Sequence, residues 1–173
     1  MVEQRSTTGL RMQNVHPEGV PGANAVPSTY LSLHYHLVFS TKDRAPLIEP
    51  SWRSRLHEYL GGTVSGLGGF PQGAGGTADH VHLLVGLKAT HSLADFMREL
   101  KKASSAWVHD EIGMHRFAWQ EGYAAFTVSP SARPEVQSYI ARQEVHHRTK
   151  TFRAELVEFL EKAGIDYDSR YLD

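Results

Sequence analysis

From residue 30 to residue 41 apolar and polar side chains alternate: Leu31, Leu33, Tyr35, Leu37 and Phe39 on one side, Ser32, His34, His36 and Ser40 on the other. Only a strand returns side chains to the same face at every second residue. This stretch therefore commits the chain to a sheet with one face packed against apolar matter. Residues 80–87 repeat the pattern, setting His80, His82 and Leu84 against Val81, Leu83 and Val85. Helical spacing fills the intervals. Residues 52–64 place Leu56, Tyr59, Leu60 and Val64 inward behind Pro50 and Ser51. Ser92 is suited to cap a helix running to Ile112, with Leu93, Phe96, Met97, Leu100, Trp107 and Val108 at helical spacing.

Residues 61–76 hold eight of the fifteen glycines, which predicts a weakly specified strand near 67–71 and a turn at 73–76. A fourth strand is expected at 123–128. Ser131 is expected to cap a helix to His147, with Pro134 in its first turn, and residues 152–163 form a last amphipathic helix stopped by Gly164. The order β-α-β-β-α-β followed by two helices predicts an α+β fold, a ferredoxin-like antiparallel sheet with added C-terminal helices. Residues 1–28, polar and broken by Pro17, Pro21 and Pro27, are expected to be a flexible extension. A single domain would occupy 29–150 and a helical tail 151–173.

Composition removes several chemistries. The chain of 173 residues has no Cys, which excludes disulfides, thiolate metal sites and a cysteine nucleophile. No apolar run reaches a membrane span, and the N-terminus lacks the apolar centre of a signal peptide, so a cytoplasmic protein is expected. Lys and Arg number 18 against 19 Asp and Glu, so the overall charge carries no sign of nucleic-acid binding. The near-neutral total hides a local contrast. Residues 133–153 carry five basic side chains against two acidic ones, and residues 154–173 carry two against six. Lys42, Arg44, Arg98, Lys101 and Lys102 add basic points elsewhere.

Eleven His direct attention to metal or acid–base chemistry. His80 and His82, one strand repeat apart, project from the same face and can share a divalent ion if a third ligand arrives from elsewhere. Asp79 is open to three readings: a ligand, a hydrogen-bonding partner for a His, or a turn residue. Tyr139 and Gln143 stand four residues apart on a predicted helix and so share a face. His146 and His147 read as exposed polar residues at the end of that helix. Dinucleotide, phosphate-loop, nucleophile-elbow and His-Glu-x-x-His motifs are absent from the sequence.

The combination is more specific than its parts. Tyr35-His36-Leu37-Val38-Phe39 leads to Lys42-Asp43-Arg44, followed by Ala78-Asp79-His80-Val81-His82-Leu83-Leu84. Then come Leu100-Lys101-Lys102-Ala103-Ser104-Ser105, Trp119-Gln120-Glu121-Gly122-Tyr123 and Tyr139-Ile140-Ala141-Arg142-Gln143. This series resembles the single-tyrosine HUH transposases of small insertion sequences and their domesticated, repeat-associated relatives. The N-terminal extension and the tail from Thr151 depart from the minimal pattern.

The resemblance implies His80, His82 and Gln143 as ligands for Mg²⁺ or Mn²⁺ and Tyr139 as the nucleophile. Tyr139 would attack single-stranded DNA to give a 5′-phosphotyrosine and a free 3′-hydroxyl. It also implies DNA hairpins as partners and a homodimer with composite sites; from the local basic charge, Lys42, Arg44, Lys101 and Lys102 are the expected DNA contacts. The expected location is cytoplasmic, at the nucleoid when DNA is bound. A domesticated enzyme acting on genomic palindromes would share this site. A non-catalytic nucleic-acid module on the same sheet is disfavoured, because the aromatics of the first strand lie on its apolar face. A free tyrosine of pKa ~10 is about one part in a thousand phenolate at neutral pH, so its attack needs help at the phosphate.

Overall fold

The computed structural model describes residues 29–172; the extension expected at 1–28 lies outside the described residues. Among these residues β1 (His34–Ser40), β2 (Phe70–Gly76), β3 (His80–Gly86) and β4 (Ala124–Thr127) form one antiparallel sheet in the order β2-β3-β1-β4. Helix α1 (Pro50–Gly66) connects β1 to β2, and α2 (Leu93–Trp107) lies between β3 and β4. Three helices follow: α3 (Arg133–Ala141), α4 (Gln143–His146) and α5 (Phe152–Lys162). This is the predicted ferredoxin-like α+β arrangement with added helices.

Cross-strand register sorts the residues into two faces. Leu37 pairs with Leu83, Phe39 with Val81 and Tyr35 with Val85. That face packs on Leu56, Leu60 and Val64 of α1 and on Phe96, Met97 and Leu100 of α2. Each such side chain, fully buried, contributes about 1.5–3 kcal/mol. On the other face Ser40 pairs with His80, Val38 with His82 and His36 with Leu84. Helix α3 packs there against β2 and β3, joining Ile140 to Leu84 and Val128 in a small second cluster.

Three local expectations are corrected. Gly73–Gly76 is the second half of β2, not a turn. A β-carbon at Gly75 would stand 2.2 Å from the Ile140 carbonyl oxygen, so the glycine admits the backbone of α3 against the strand. The helix expected over 131–147 begins at Arg133 and breaks at Arg142, whose φ of −106° and ψ of 17° separate α3 from α4. Ser129, not Ser131, accepts the Ala132 N–H (3.3 Å). The helix opened by Ser92, whose hydroxyl accepts the Asp95 N–H, ends at Trp107 in a wider turn over Val108–Ile112 that closes on the left-handed Gly113 (φ 75°). Gly164 (φ 64°) stops α5 as expected.

Candidate active site

Strand β3 sets His80 and His82 on one face, and both are buried. The Nδ1 of His80 lies 2.7 Å from an Asp79 carboxylate oxygen, and the Thr77 hydroxyl donates to the same oxygen. Of the three readings open for Asp79, the geometry selects the hydrogen-bonding partner: His80 donates through Nδ1 and keeps its Nε2 lone pair for the interior. His82 meets the Nε2 of His36 through Nδ1 at 2.9 Å. Burial drives His36 down to about 4, and burial with the surrounding imidazoles holds His82 well below the ordinary histidine range. The Nε2 atoms of His80 and His82 are both buried without a hydrogen-bond partner.

Tyr139, on α3, turns its ring edge to His82 (5.9 Å between centroids) and to His36 (6.1 Å). Its hydroxyl is buried and makes no hydrogen bond. The close approach at Gly75 brings the tyrosine helix onto the sheet of its own chain. Tyr139 therefore stands against the His82 of the same chain. Gln143 opens α4 and is buried. Its Oε1 lies 3.0 Å from His147 Nε2, and its Nε2 donates to Glu155 at 3.4 Å.

His147 and Glu155 were not among the sequence-level candidates. His80, His82, His147 and Glu155 each offer one ligand atom, and these atoms all lie within 4.8 Å of one another. Glu155 Oε2 is 3.3 Å from His82 Nε2 and 3.4 Å from His147 Nε2. Burial, with Glu158 and Asp79 nearby, pushes the Glu155 carboxyl up to about 8. His147, expected to be exposed, is largely covered, and its Nδ1 donates to the Lys150 carbonyl (2.8 Å). Helix α5 closes over the group: Phe152 stacks on His80 (4.3 Å), and Phe159 stands edge-on to His36, His82 and Tyr139. One signal for Glu155 was present in the sequence. It is an acidic residue on the stripe formed by Phe152, Leu156 and Phe159 of an amphipathic helix.

The four basic candidates separate. Lys42 and Lys102 are exposed. Arg44 lies over the Phe152 ring (4.9 Å) and donates to the Leu172 carbonyl. Lys101 donates to the carbonyls of Gln120, Glu121 and Gly122, and so holds the segment entering β4. Among the described residues no helix is long and apolar enough to cross a membrane.

Comparisons with known proteins agree with this architecture. No curated protein sequence is significantly similar to the chain. A solved structure assigned as a transposase of Deinococcus radiodurans R1 is 26% identical, with a TM-score of 0.57 over 70% of this chain and 98% of the other. A REP-associated tyrosine transposase, solved bound to a REP hairpin, shares the fold at 13% identity and a TM-score of 0.52, over 72% of this chain and 74% of that one. The family model described as "Transposase IS200 like" matches residues 29–143, about two thirds of the sequence and every strand of the sheet. The chain belongs to the IS200-like transposase family.

Proposed function

We propose that this transposase cleaves and rejoins single-stranded DNA through a covalent bond to Tyr139. The observation that carries the reading is the meeting, on one buried sheet face, of an unpartnered tyrosine hydroxyl with two imidazoles whose Nε2 atoms also lack partners. Buried polar atoms without partners are costly, and three together on one face point to a reacting or ligating group that they receive. Two imidazole nitrogens and the Gln143 amide form a donor set that fits a divalent ion such as Mg²⁺ or Mn²⁺. His80, His82 and Gln143 would hold it; when bound it would polarise the scissile phosphate and offset the charge developing there.

The protein's own groups do the rest. Asp79 and His36 fix the two imidazole rings through their Nδ1 atoms, so the ligand atoms need little reorganisation. Tyr139 forms the new P–O bond as the bond to the 3′-oxygen breaks, and on balance the phenolic proton ends on that oxygen. The phosphodiester energy is retained in the phosphotyrosine, ready for a second strand to attack. Exposed Lys42 and Lys102 are the proposed phosphate contacts, while Arg44 and Lys101 would act through the segments they hold. A folded single-stranded hairpin is the proposed partner, as the family suggests, and a homodimer the proposed assembly. A base-stacking platform finds no support, since Phe126 on the histidine face lies against Phe159 of α5.

The test is a labelled single-stranded hairpin oligonucleotide incubated with the protein and Mn²⁺. A denaturation-resistant adduct that maps to Tyr139 is expected, with none from Tyr139→Phe. An adduct of equal yield in Tyr139→Phe would overturn the assignment.

A further inference from the structure

We infer that Glu155 is itself a ligand of the ion, so that the tail helix α5, outside the region matched by the family model, supplies the anionic oxygen of the metal site. The inference rests on the metal reading proposed above and extends it to an element that reading does not need.

His80 donates through Nδ1 to Asp79, and His147 donates through Nδ1 to the Lys150 carbonyl. In their neutral forms both rings therefore present an Nε2 lone pair to the interior. Glu155 Oε2 adds further lone pairs, 3.3 Å from His82 Nε2 and 3.4 Å from His147 Nε2, and makes no hydrogen bond. Acceptors thus converge on one buried point, where a proton on Glu155 could separate only one pair of them. A cation reconciles such a set, because each lone pair becomes a ligand.

Charge points the same way. His80, His82, His147 and Gln143 are neutral donors, and an ion held by them alone would be buried with its charge uncompensated. Of the two other carboxylates nearby, Asp79 is committed to His80 and Thr77, and Glu158 to Lys150 and Lys162. Glu155 is 1% exposed and braced through Oε1 by the Gln143 amide, which leaves Oε2 directed at the imidazoles. Gln143 then serves both its own place at the ion and the orientation of the carboxylate. Phe152 and Phe159, packed on His80 and His82, keep the helix carrying Glu155 in place. Metal binding and the docking of α5 are therefore coupled.

The test uses the full chain and Mn²⁺ alone, without DNA. Calorimetric titration compares the wild type, Glu155→Gln and His80→Ala,His82→Ala. Glutamine preserves size and an oxygen acceptor for Gln143 but removes the charge, and Glu155→Gln is expected to weaken binding by about 10- to 100-fold. Because a structural effect could also weaken binding, pulsed electron–nuclear double resonance on protein labelled with ¹³C-glutamate provides the second measurement. A strong carboxylate ¹³C coupling to Mn²⁺ is expected in the wild type and its loss in Glu155→Gln. Binding by Glu155→Gln equal to wild type, with loss in the His variant, overturns the Glu155 assignment and leaves the histidine site standing. Weakened binding without a ¹³C coupling in the wild type also overturns it. Absence of Mn²⁺ binding by the wild type overturns the metal reading and this inference together.

Discussion

The two faces of the sheet are buried to a similar depth and built of opposite material. Leu37, Phe39, Val81, Leu83 and Val85 meet α1 and α2 in a core where the buried Ser104 hydroxyl donates to the Leu100 carbonyl and accepts from the Trp119 indole, while the Trp52 indole N–H stays without a partner. Across the same strands His36, His80, His82, Gln143 and Glu155 are each no more than 4% exposed, and several of their ring or carboxylate atoms have no hydrogen-bond partner. Burial on the first face stabilises the fold. Burial on the second keeps water from a set of donors and lowers the local dielectric, which strengthens any ion or phosphate interaction made there. Depth of burial alone does not distinguish a core from a site; the gathering of several unpartnered polar atoms at one place does.

The largest contrast should come from matched substitutions on the two faces. Replacing both members of the hydrogen-bonded pair, as His36→Leu,His82→Leu, leaves no half-pair behind and should change unfolding stability by only about 1 kcal/mol. The same variant should lower phosphotyrosine formation at least about 100-fold, since help at the phosphate is worth several kcal/mol. Leu83→Ala, one residue along on the other face, should cost about 2–5 kcal/mol while the protein that remains folded still forms the adduct. Urea unfolding and adduct yield at low temperature measure both. A stability loss in the His pair variant as large as that of Leu83→Ala would erase the distinction drawn between the faces.

A smaller effect is expected where the second face receives its helix. In Gly75→Ala the new methyl group meets the Ile140 carbonyl oxygen at 2.2 Å, and α3 must move away. The expected cost is about 1–3 kcal/mol, with adduct yield falling further than stability because Tyr139 rides on α3. Unchanged yield would mean that α3 already moves before reaction. Least of all is expected from mixing Tyr139→Phe with His80→Ala,His82→Ala: if each chain completes its own site, the mixture recovers no activity. Recovery after verified subunit exchange would show that the tyrosine helix leaves its own sheet and docks on a partner's.

Much of this molecule was legible as local pattern. Alternation at residues 30–41 and 80–87 determined which side chains share a face, and so placed His36, His80 and His82 together and opposite Leu37, Phe39 and Leu83. The spacing of Tyr139 and Gln143, Ser92 as a cap and Gly164 as a stop were read the same way. Periods of 2 and 3.6 are short-range consequences of backbone geometry, and they survive any tertiary arrangement. The glycine-rich stretch misled because small residues serve a close approach as readily as a turn. The difference lay in the Ile140 carbonyl, sixty-five residues away from Gly75.

Tertiary structure alone decided the composition of the site. In the sequence Glu155 is one of six acidic residues in an acidic tail, and His147 is the second of two consecutive histidines at the end of a basic segment. Their convergence on His82 depends on the break at Arg142, on Thr151 starting α5, and on Phe152 and Phe159 finding the histidine face. None of these carries a spacing that refers to β3. Register and periodicity say which way a side chain points along its own element; which element it points at is set by packing between distant parts of the chain.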